Sequence, residues 1–223
     1  MVARPDISHA VQDYAKAIWS LAERNAKPVS TSAIAERLGV SPASTSAMVK
    51  RLASMGLVER EPYHGVKLTP TGERVALEVV RHHRLLELYL SEALGMPWDR
   101  VHEEAEVLEH AISPELSELI AAKLGNPTRD PHGDPIPTVE GEIDESPTRR
   151  LADLQPGERG VFVRVSDADP DMLRYLAERG IAPGDRFEVL EREPFEGPLT
   201  VLFDEREHVL GGALTRAMRT VAR

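Results

Sequence analysis

The sequence contains no cysteine, and other marks of common protein classes are missing as well. Without cysteine, neither a disulfide framework nor a thiolate metal site can form. No apolar run approaches the roughly 18 residues of a transmembrane helix, and the N-terminus lacks the apolar core of a signal peptide. These absences predict a soluble, cytoplasmic protein that has no membrane partner.

The net charge of −10 is distributed unevenly along the 223 residues. Residues 1–76 hold ten lysines and arginines against seven acids, a balance of +3. Residues 77–146 hold five against sixteen, or −11, and residues 147–223 hold twelve against fourteen, or −2. Only the first segment has the sign that suits phosphate. The acids of the middle segment would be partly neutralised by bound cations, although solvation of helices is a commoner role for such residues.

The first part of the chain predicts a winged helix-turn-helix. Ser30 or Thr31 caps a short helix that ends at Gly39, and Ser41-Pro42 begin the next, because serine caps a helix and proline fits its first position. Two short helices around a glycine-containing turn form a helix-turn-helix. A β-hairpin follows as the wing, with Tyr63-His64-Gly65 at its tip. The predicted elements are helices over 8–24, 31–39 and 42–55 and a hairpin over 57–68.

The predicted helix over 42–55 carries side chains that suit DNA contacts. Serine, threonine, lysine and arginine can reach phosphates or base edges, and the methyl group of Ala47 can contact a thymine methyl. An ordinary exposed helix carries similar small polar residues, so this composition identifies no base sequence. The candidate DNA-contacting residues are Ser41, Pro42, Ser44, Thr45, Ala47, Lys50 and Arg51.

The remainder of the chain changes from helical to strand periodicity. Gly95-Met96-Pro97 interrupts the helical pattern, and Ser113-Pro114 begin a new helix. The segment 125–146 is rich in proline, glycine and acids and predicts a mobile linker. From Arg149 the apolar period of two predicts a small five-stranded barrel of the SH3 type. The predicted helices are 71–93, 99–111, 114–124 and 170–179, and the predicted strands are 160–165, 185–192, 199–203, 208–210 and 218–221.

The stretch 102–110 is the most informative part of the sequence. At 3.6 residues per turn, two histidines and two glutamates of this stretch lie on one face of a helix. Two imidazoles and two carboxylates that converge in this way can bind a divalent cation. The four residues are His102, Glu106, Glu109 and His110.

A second pair, His83 and Glu87, has one-turn spacing on the preceding helix. The neighbouring His82 points about 100° away from His83 on a helix, so only one of these two histidines faces the same side as Glu87. Two helices with metal-type ligands, downstream of a DNA-reading helix, suggest that a metal controls DNA binding. The histidines interpreted as structural or solvated are His9, His64, His132 and His208.

With these motifs the chain resembles the metal-dependent repressors that include the diphtheria toxin repressor and the manganese transport regulators. The resemblance covers nearly the whole chain and rests on the sequences LTPTGERVA, VVRHHRLLELYL and VHEEAEVLEH and on the loop around GDPIP. It implies an α+β multidomain fold: an N-terminal winged helix-turn-helix, an all-α dimerisation domain and a C-terminal SH3-like β-barrel of the ferrous-transport-A type. The implied domains are residues 1–76 for DNA binding, 77–146 for metal binding and dimerisation together with the linker, and 147–223 for the barrel.

The resemblance also implies the function and one of two metal sites per subunit. It implies a homodimer that binds palindromic double-stranded operator DNA when loaded with metal and represses metal homeostasis genes. The implied primary site consists of Asp13, Glu106, Glu109 and His110. The iron-responsive branch has methionine at the position of Asp13 and cysteine at that of Glu106. Carboxylates without sulfur suit Mn(II), so we expect Mn(II), with Fe(II) as the alternative because its demands are similar.

The implied second site consists of His83, Glu87 and His102, with a further ligand from the barrel. In the family the barrel ligands lie near the segment Asp169-Pro170-Asp171-Met172. Asp169 matches a glutamate of that pattern, whereas Met172 stands where a glutamine ligand would be. Asp169 also suits the cap of the helix that begins at Pro170, and Asp171 is the alternative ligand.

Two other functions are compatible with parts of the sequence. A winged-helix regulator that senses a different ligand would use the histidines and glutamates as a structural ion-pair network, and its DNA binding would be indifferent to chelators. Paired glutamate and histidine ligands on helices also occur in di-metal carboxylate enzymes, which need four long ligand-bearing helices. This chain has too few of them, and it contains no nucleophile elbow, phosphate loop or dinucleotide fingerprint. We therefore expect a regulator that is not an enzyme and has no small-molecule substrate.

Overall fold

The computed structural model describes residues 7–25, 28–61, 65–144, 146–195 and 197–222. Contacts divide the chain into two units, Met1–His82 with Pro137–Glu142, and His83–Ile136 with Ile143–Arg223. The division into three domains at residues 76 and 146 stays a prediction. In the part of the chain that the structure describes, no helix is long and apolar enough to cross a membrane.

The first unit contains the predicted winged helix-turn-helix. Ser30 accepts a hydrogen bond from the Ala33 N–H at its helix start, and Gly39 ends the same helix with a left-handed φ of 63°. Ser41 accepts a hydrogen bond from the Ser44 N–H at the start of the next helix. The predicted hairpin tip includes residues 63 and 64, which lie outside the described residues. The elements are α1 (His9–Asn25), α2 (Thr31–Leu38), α3 (Pro42–Ser54), β1 (Val58–Glu61), β2 (Gly65–Leu68) and the beginning of α4 (Pro70–Leu94).

The second unit begins within α4 and continues through two shorter helices, α5 (Val101–Leu108) and α6 (Pro114–Lys123). Their buried side chains form one apolar core that includes Leu85, Ala105 and Ile120. The prediction that the metal-type helix continues to residue 111 is wrong. The helix ends at Leu108, and the next residue is its C-cap, which keeps helical backbone angles.

The C-terminal part of the second unit is a single antiparallel sheet with the strand order β3-β8-β4-β5-β6-β7. Its core includes Phe162, Leu173 and Leu210, all of which are fully buried. The five predicted strands are present, and the structure adds the two-residue strand β3 and a second helix. The elements are β3 (Arg149–Arg150), a 3-10 turn (Leu151–Asp153), β4 (Arg159–Val165), α7 (Pro170–Ala177), β5 (Arg186–Arg192), β6 (Leu199–Phe203), β7 (Arg206–Leu210), α8 (Gly212–Ala217) and β8 (Met218–Ala222).

The segment predicted to be a mobile linker is instead a folded loop where it belongs to the second unit. Asp130 is buried, and its Oδ1 accepts backbone hydrogen bonds from His132 and Asp134 at 2.8 and 2.9 Å. His132 is also buried, and its carbonyl accepts a hydrogen bond from the Val165 N–H at 2.9 Å. The proline and glycine content therefore indicates tight turns rather than mobility, because the buried Asp130 carboxylate binds backbone N–H groups of its own loop.

Candidate metal centre

The spacing of helical residues brings His83 and Glu87 onto one side of α4. They are four residues apart, so they lie one turn apart on the same face. The His83 Nε2 atom lies 2.9 Å from the Glu87 Oε1 atom, and both residues are buried. Glu87 is thus held in the interior with an imidazole as its neighbour, which is the usual condition for a buried carboxylate.

Two further ligand-type side chains reach the same point from other elements. His102 of α5 places its Nδ1 atom 3.1 Å from His83 Nε2 and 3.2 Å from Glu87 Oε1. Asp167, just after β4, places its Oδ2 atom 3.1 Å from the same nitrogen of His102. Two imidazole nitrogens and two carboxylate oxygens therefore converge from three separate segments of the second unit.

The spacing of these four atoms suits one divalent cation. Adjacent ligands of an octahedral ion with bonds of roughly 2.1 Å lie about 3 Å apart. The four contacts above range from 2.9 to 3.2 Å. Nitrogen and oxygen donors without sulfur match first-row divalent ions such as Mn(II) and Fe(II). The residues present therefore fit a metal of this class.

Electrostatics keep the carboxylates of this group ionised. Burial would lower the pKa of His102, but hydrogen bonds with Asp167 and Glu87 and their negative charges raise it to about 10. Burial would raise the pKa of Asp167, yet the hydrogen bond with His102 lowers it to about 2. Burial also opposes ionisation of Glu87, but His83 and the hydrogen-bonded histidines around it hold its pKa well below the usual value. A cation that binds His102 must therefore displace a proton.

Asp167 is a residue that the sequence analysis missed. The family resemblance implied a barrel ligand at Asp169, with Asp171 as the alternative. In the structure the Asp169 Oδ1 atom caps α7 by accepting the Asp171 and Met172 N–H groups. Asp171 is exposed and pairs with Arg174. The nearest hint in the sequence was that Asp167 lies only two residues before the expected position.

Glu87 has a second set of ligand-type neighbours, which the sequence analysis also missed. The His132 Nδ1 atom lies 3.7 Å from Glu87 Oε2, and Asp130 completes a group whose ligand atoms lie within 4.8 Å of one another. The other ring nitrogen of His132 hydrogen-bonds the Trp98 carbonyl oxygen at 2.8 Å. Within the described residues, its Nδ1 atom has no hydrogen-bond partner. His132 is therefore buried rather than solvated, and its Nδ1 atom faces a carboxylate.

The pKa values of this second set are also perturbed. Burial would lower the pKa of His132, but the nearby carboxylates of Glu87 and Asp130 raise it to about 9. Burial and the nearby charges of Asp134 and Glu87 raise the pKa of Asp130 well above its usual value. A cation close to Asp130 would favour the charged form that burial disfavours.

Of the residues of the implied primary site, Glu106 lies on α5, and Glu109 and His110 follow the end of that helix. The Glu109 Oε2 atom lies 2.5 Å from His83 Nδ1, and its Oε1 atom lies 3.5 Å from His110 Nε2. Ligand atoms of His83, Glu106 and Glu109 lie within 4.8 Å of one another. Asp13 lies on α1 in the first unit. Its role as a ligand stays a prediction.

The candidate DNA-contacting residues lie on or just before α3. All of them are exposed except Thr45, which is fully buried. The Thr45 hydroxyl donates to the Ser41 carbonyl oxygen at 3.2 Å, and the Tyr14 hydroxyl of α1 lies 3.4 Å from the Thr45 hydroxyl oxygen. Thr45 therefore supports the packing of α3, and we remove it from the proposed DNA contacts. Ser46, which the sequence analysis left out, is exposed on this helix.

Comparison with known families matches nearly all of the chain. Residues 6–66 match the family described as iron dependent repressor, N-terminal DNA binding domain. Residues 69–138 match the iron dependent repressor, metal binding and dimerisation domain. Residues 149–218 match the FeoA domain. These matches, together with the helical and β-sheet parts described above, confirm the expected fold class.

Individual proteins give the same result. The chain is 33% identical to the iron-dependent repressor IdeR of Mycobacterium tuberculosis over 88% of this chain and 89% of the relative. It is 30% identical to the diphtheria toxin repressor of Corynebacterium efficiens over 92% of this chain and 95% of the relative. A solved structure described as a manganese-dependent transcriptional repressor in complex with manganese is 46% identical, with a TM-score of 0.88, and covers 96% of this chain and 100% of its own.

Proposed function

The chain belongs to the iron-dependent repressor family of metal-dependent, DNA-binding transcriptional repressors, and from that premise we propose that Mn(II) is its effector and that it represses metal homeostasis genes as a homodimer on palindromic operator DNA. The observation that carries this proposal is the convergence of His83, Glu87, His102 and Asp167 on one point. Such a regulator acts where the chromosome is, which in the bacteria of the relatives is the cytoplasm.

Two observations support Mn(II) over Fe(II). The candidate ligands are imidazoles and carboxylates, and the chain has no cysteine, so every soft thiolate donor is missing. The solved structure with 46% identity was described with manganese bound. Fe(II) is the second candidate because the curated relatives are named as iron-dependent repressors and Fe(II) accepts a similar donor set.

We propose two metal sites in each subunit. The second site uses His83, Glu87, His102 and Asp167, and the buried pair Asp130 and His132 lies on the other side of Glu87. When bound, a cation at this site supplies the positive charge that these carboxylates otherwise obtain from protonated histidines. The role proposed for the barrel is to contribute Asp167. The first site keeps the set that the family resemblance implies, which is Asp13, Glu106, Glu109 and His110.

The helices of the second unit support the proposed homodimer. Large apolar side chains that share an exposed patch mark a surface that a partner covers. Leu94 at the end of α4, Val107 of α5 and Leu119 of α6 are 63%, 73% and 61% exposed. These helices lie within residues 69–138, which match the dimerisation domain of the family. A second copy of the chain is therefore the proposed occupant of this surface.

The proposed DNA contacts come from the exposed residues of α3 and its N-terminus. Lys50 and Arg51 carry the positive charge for phosphate, and Ser44 and Ala47 are small enough to let the helix approach the base edges. Two copies of this helix in a symmetric dimer read two half-sites, which is why the operator is proposed to be palindromic.

Ligation of Asp13 would restrain α1, and α1 packs on α3 through the Tyr14–Thr45 contact. Metal and DNA must then each tighten the binding of the other.

The test is binding of the full chain to fragments of its own promoter region, titrated anaerobically with Mn(II), Fe(II), Co(II) and Zn(II). Chelated protein is the blank. We expect Mn(II) at micromolar concentrations to produce binding that the chelator abolishes. Glu87→Gln should shift the Mn(II) response to higher concentrations, while His208→Gln, a histidine outside the candidate metal groups, should behave as wild type.

Three outcomes separate the alternatives. A response to Fe(II) alone would keep the family but overturn the choice of metal. Equal DNA binding with and without metal would mean that the histidines and carboxylates form a structural ion-pair network and that the regulator senses another ligand. A wild-type response in Glu87→Gln would remove the second site from the switch.

A further inference from the structure

The carboxylate of Glu109 contacts a residue of each proposed metal site. Its Oε2 atom lies 2.5 Å from His83 Nδ1, and its Oε1 atom lies 3.5 Å from His110 Nε2. The opposite ring nitrogen of His83, Nε2, faces Glu87 at 2.9 Å and His102 at 3.1 Å. His83 and Glu109 are both almost completely buried. The imidazole of His83 therefore lies directly between Glu109 and the second site.

The short distance between His83 and Glu109 indicates a shared proton rather than a shared cation. Two ligands of one cation with bonds of roughly 2.1 Å stay about 3 Å apart, whereas a charge-assisted hydrogen bond brings its nitrogen and oxygen to about 2.7–2.9 Å. At 2.5 Å the two atoms are too close to be adjacent ligands. His83 Nδ1 therefore donates a proton to Glu109, and His83 Nε2 is left to serve as the ligand.

We propose, building on the proposed function, that Glu109 is a positioning residue for the second metal site. By accepting the Nδ1–H of His83, its Oε2 atom fixes the tautomer and the ring orientation of that histidine. A carboxylate behind a ligating histidine also increases the basicity of the ligating nitrogen. Glu109 thus serves both sites: its Oε1 atom is directed toward His110, while its Oε2 atom orients His83.

This arrangement couples the two sites. Once the second site is loaded, His83 must keep its proton on Nδ1, which holds the Glu109 carboxylate in one orientation. A Glu109 side chain that is already oriented loses less conformational entropy when it becomes a ligand of the first site. Loading of either site should therefore tighten the other, since coupling between two binding events is reciprocal.

The test compares Glu109→Gln with His110→Gln in the full chain. Both changes remove a proposed ligand of the first site, but it is the Glu109 carboxylate that lies 2.5 Å from His83 Nδ1. Mn(II) binding is followed by calorimetry, and the step that disappears in His102→Ala is assigned to the second site. We expect this step to weaken about tenfold or more in Glu109→Gln relative to His110→Gln, which is the usual effect of losing a carboxylate behind a ligating histidine.

A spectroscopic readout keeps the test valid if Glu109→Gln folds poorly. In wild-type protein with 15N-labelled histidine, loaded with diamagnetic Zn(II), we expect a downfield proton resonance coupled to His83 Nδ1. Absence of that resonance would overturn the proposal, as would equal weakening of the second-site step in the two variants. If wild type shows no step that His102→Ala removes, the second site itself fails, and this proposal fails with it. The first two results leave the proposed function standing, whereas the last one does not.

Discussion

Replacing Gly133 with alanine should loosen the contact between the loop that carries Asp130 and the barrel. Gly133 has a φ of +89°, and a Cβ atom at this position would overlap the carbonyl oxygen of Val163. The loop and strand β4 must then move apart. The neighbouring hydrogen bond from the Val165 N–H to the His132 carbonyl, 2.9 Å long, lies directly beside this overlap and would be lost.

Two costs add up in this variant. A non-glycine residue in the left-handed region costs roughly 1–2 kcal/mol. A lost hydrogen bond between buried groups costs about 1–3 kcal/mol. Gly133→Ala should therefore lower the free energy of unfolding by roughly 2–5 kcal/mol. Gly157→Ala is the matched control, because its φ is +86° and nothing lies within 4 Å of the added Cβ, so only the first cost applies.

The assay is urea unfolding of both variants without metal, followed by Mn(II) calorimetry. We expect Gly133→Ala to lose about 1–3 kcal/mol more stability than Gly157→Ala. It should also bind Mn(II) more weakly at the second site, because Val165 is only two residues from Asp167. Equal losses in the two variants would refute the argument that the glycine is needed for close approach. Wild-type Mn(II) affinity in Gly133→Ala would show that the loop does not position Asp167.

Other expectations concern DNA binding, pH and assembly. Lys50→Ala should weaken binding to all DNA sequences and reduce the slope of log affinity against log salt by about one. Thr45→Val should leave this slope unchanged because Thr45 is buried. Fluorescence anisotropy at several salt concentrations measures both slopes, and an unchanged slope in Lys50→Ala would exclude a phosphate contact. In metal-free protein, the raised pKa of His102, from 6.5 to about 10, means that its stabilisation is complete below pH 6.5 and is lost as the pH rises through 10. The lowered pKa of Asp167, from 3.8 to about 2, means that its stabilisation is complete above pH 3.8 and is lost as the pH falls through 2. The stability deficit of His102→Gln in urea unfolding should therefore shrink as the pH rises toward 10, and a deficit that does not change with pH would contradict the ion pair. Val107→Lys should convert the proposed dimer to monomers in sedimentation, and a dimer that persists would show that Val107 lies outside the interface.

Local features of the sequence predicted most of the helices and strands. Ser30, Ser41 and Ser113 cap helices as expected, and the glycine at position 39 ends one with a positive φ, because these effects involve only neighbouring residues. The one-turn spacing of His83 and Glu87 likewise predicted that both would face one side of a helix. Such periodicity depends on backbone geometry alone, so a single sequence is enough to reveal it.

Burial of individual residues on an element was harder to predict. Thr45 and Ser44 are neighbours of similar chemistry on α3, yet one is buried and the other is exposed. Which of them faces solvent depends on where α1 packs, because Tyr14 covers the Thr45 side. A similar limit applies to the segment 125–146, whose composition is that of a linker. The Asp130 side chain folds part of it into a buried loop, which composition cannot indicate.

The sequence by itself determined the order of the elements, the ligand-type residues on α4 and α5, and the absence of sulfur donors other than methionine. These follow from residue identity and helical spacing. Only the tertiary structure decided that Asp167 and His132 lie near Glu87, since both are far from it along the chain and approach it through the packing of β4 and of the loop that carries Asp130. It also decided that Asp169 caps α7 and that His83 contacts both Glu109 and Glu87. A metal site is a convergence of atoms in space, and only packing brings distant segments to one point.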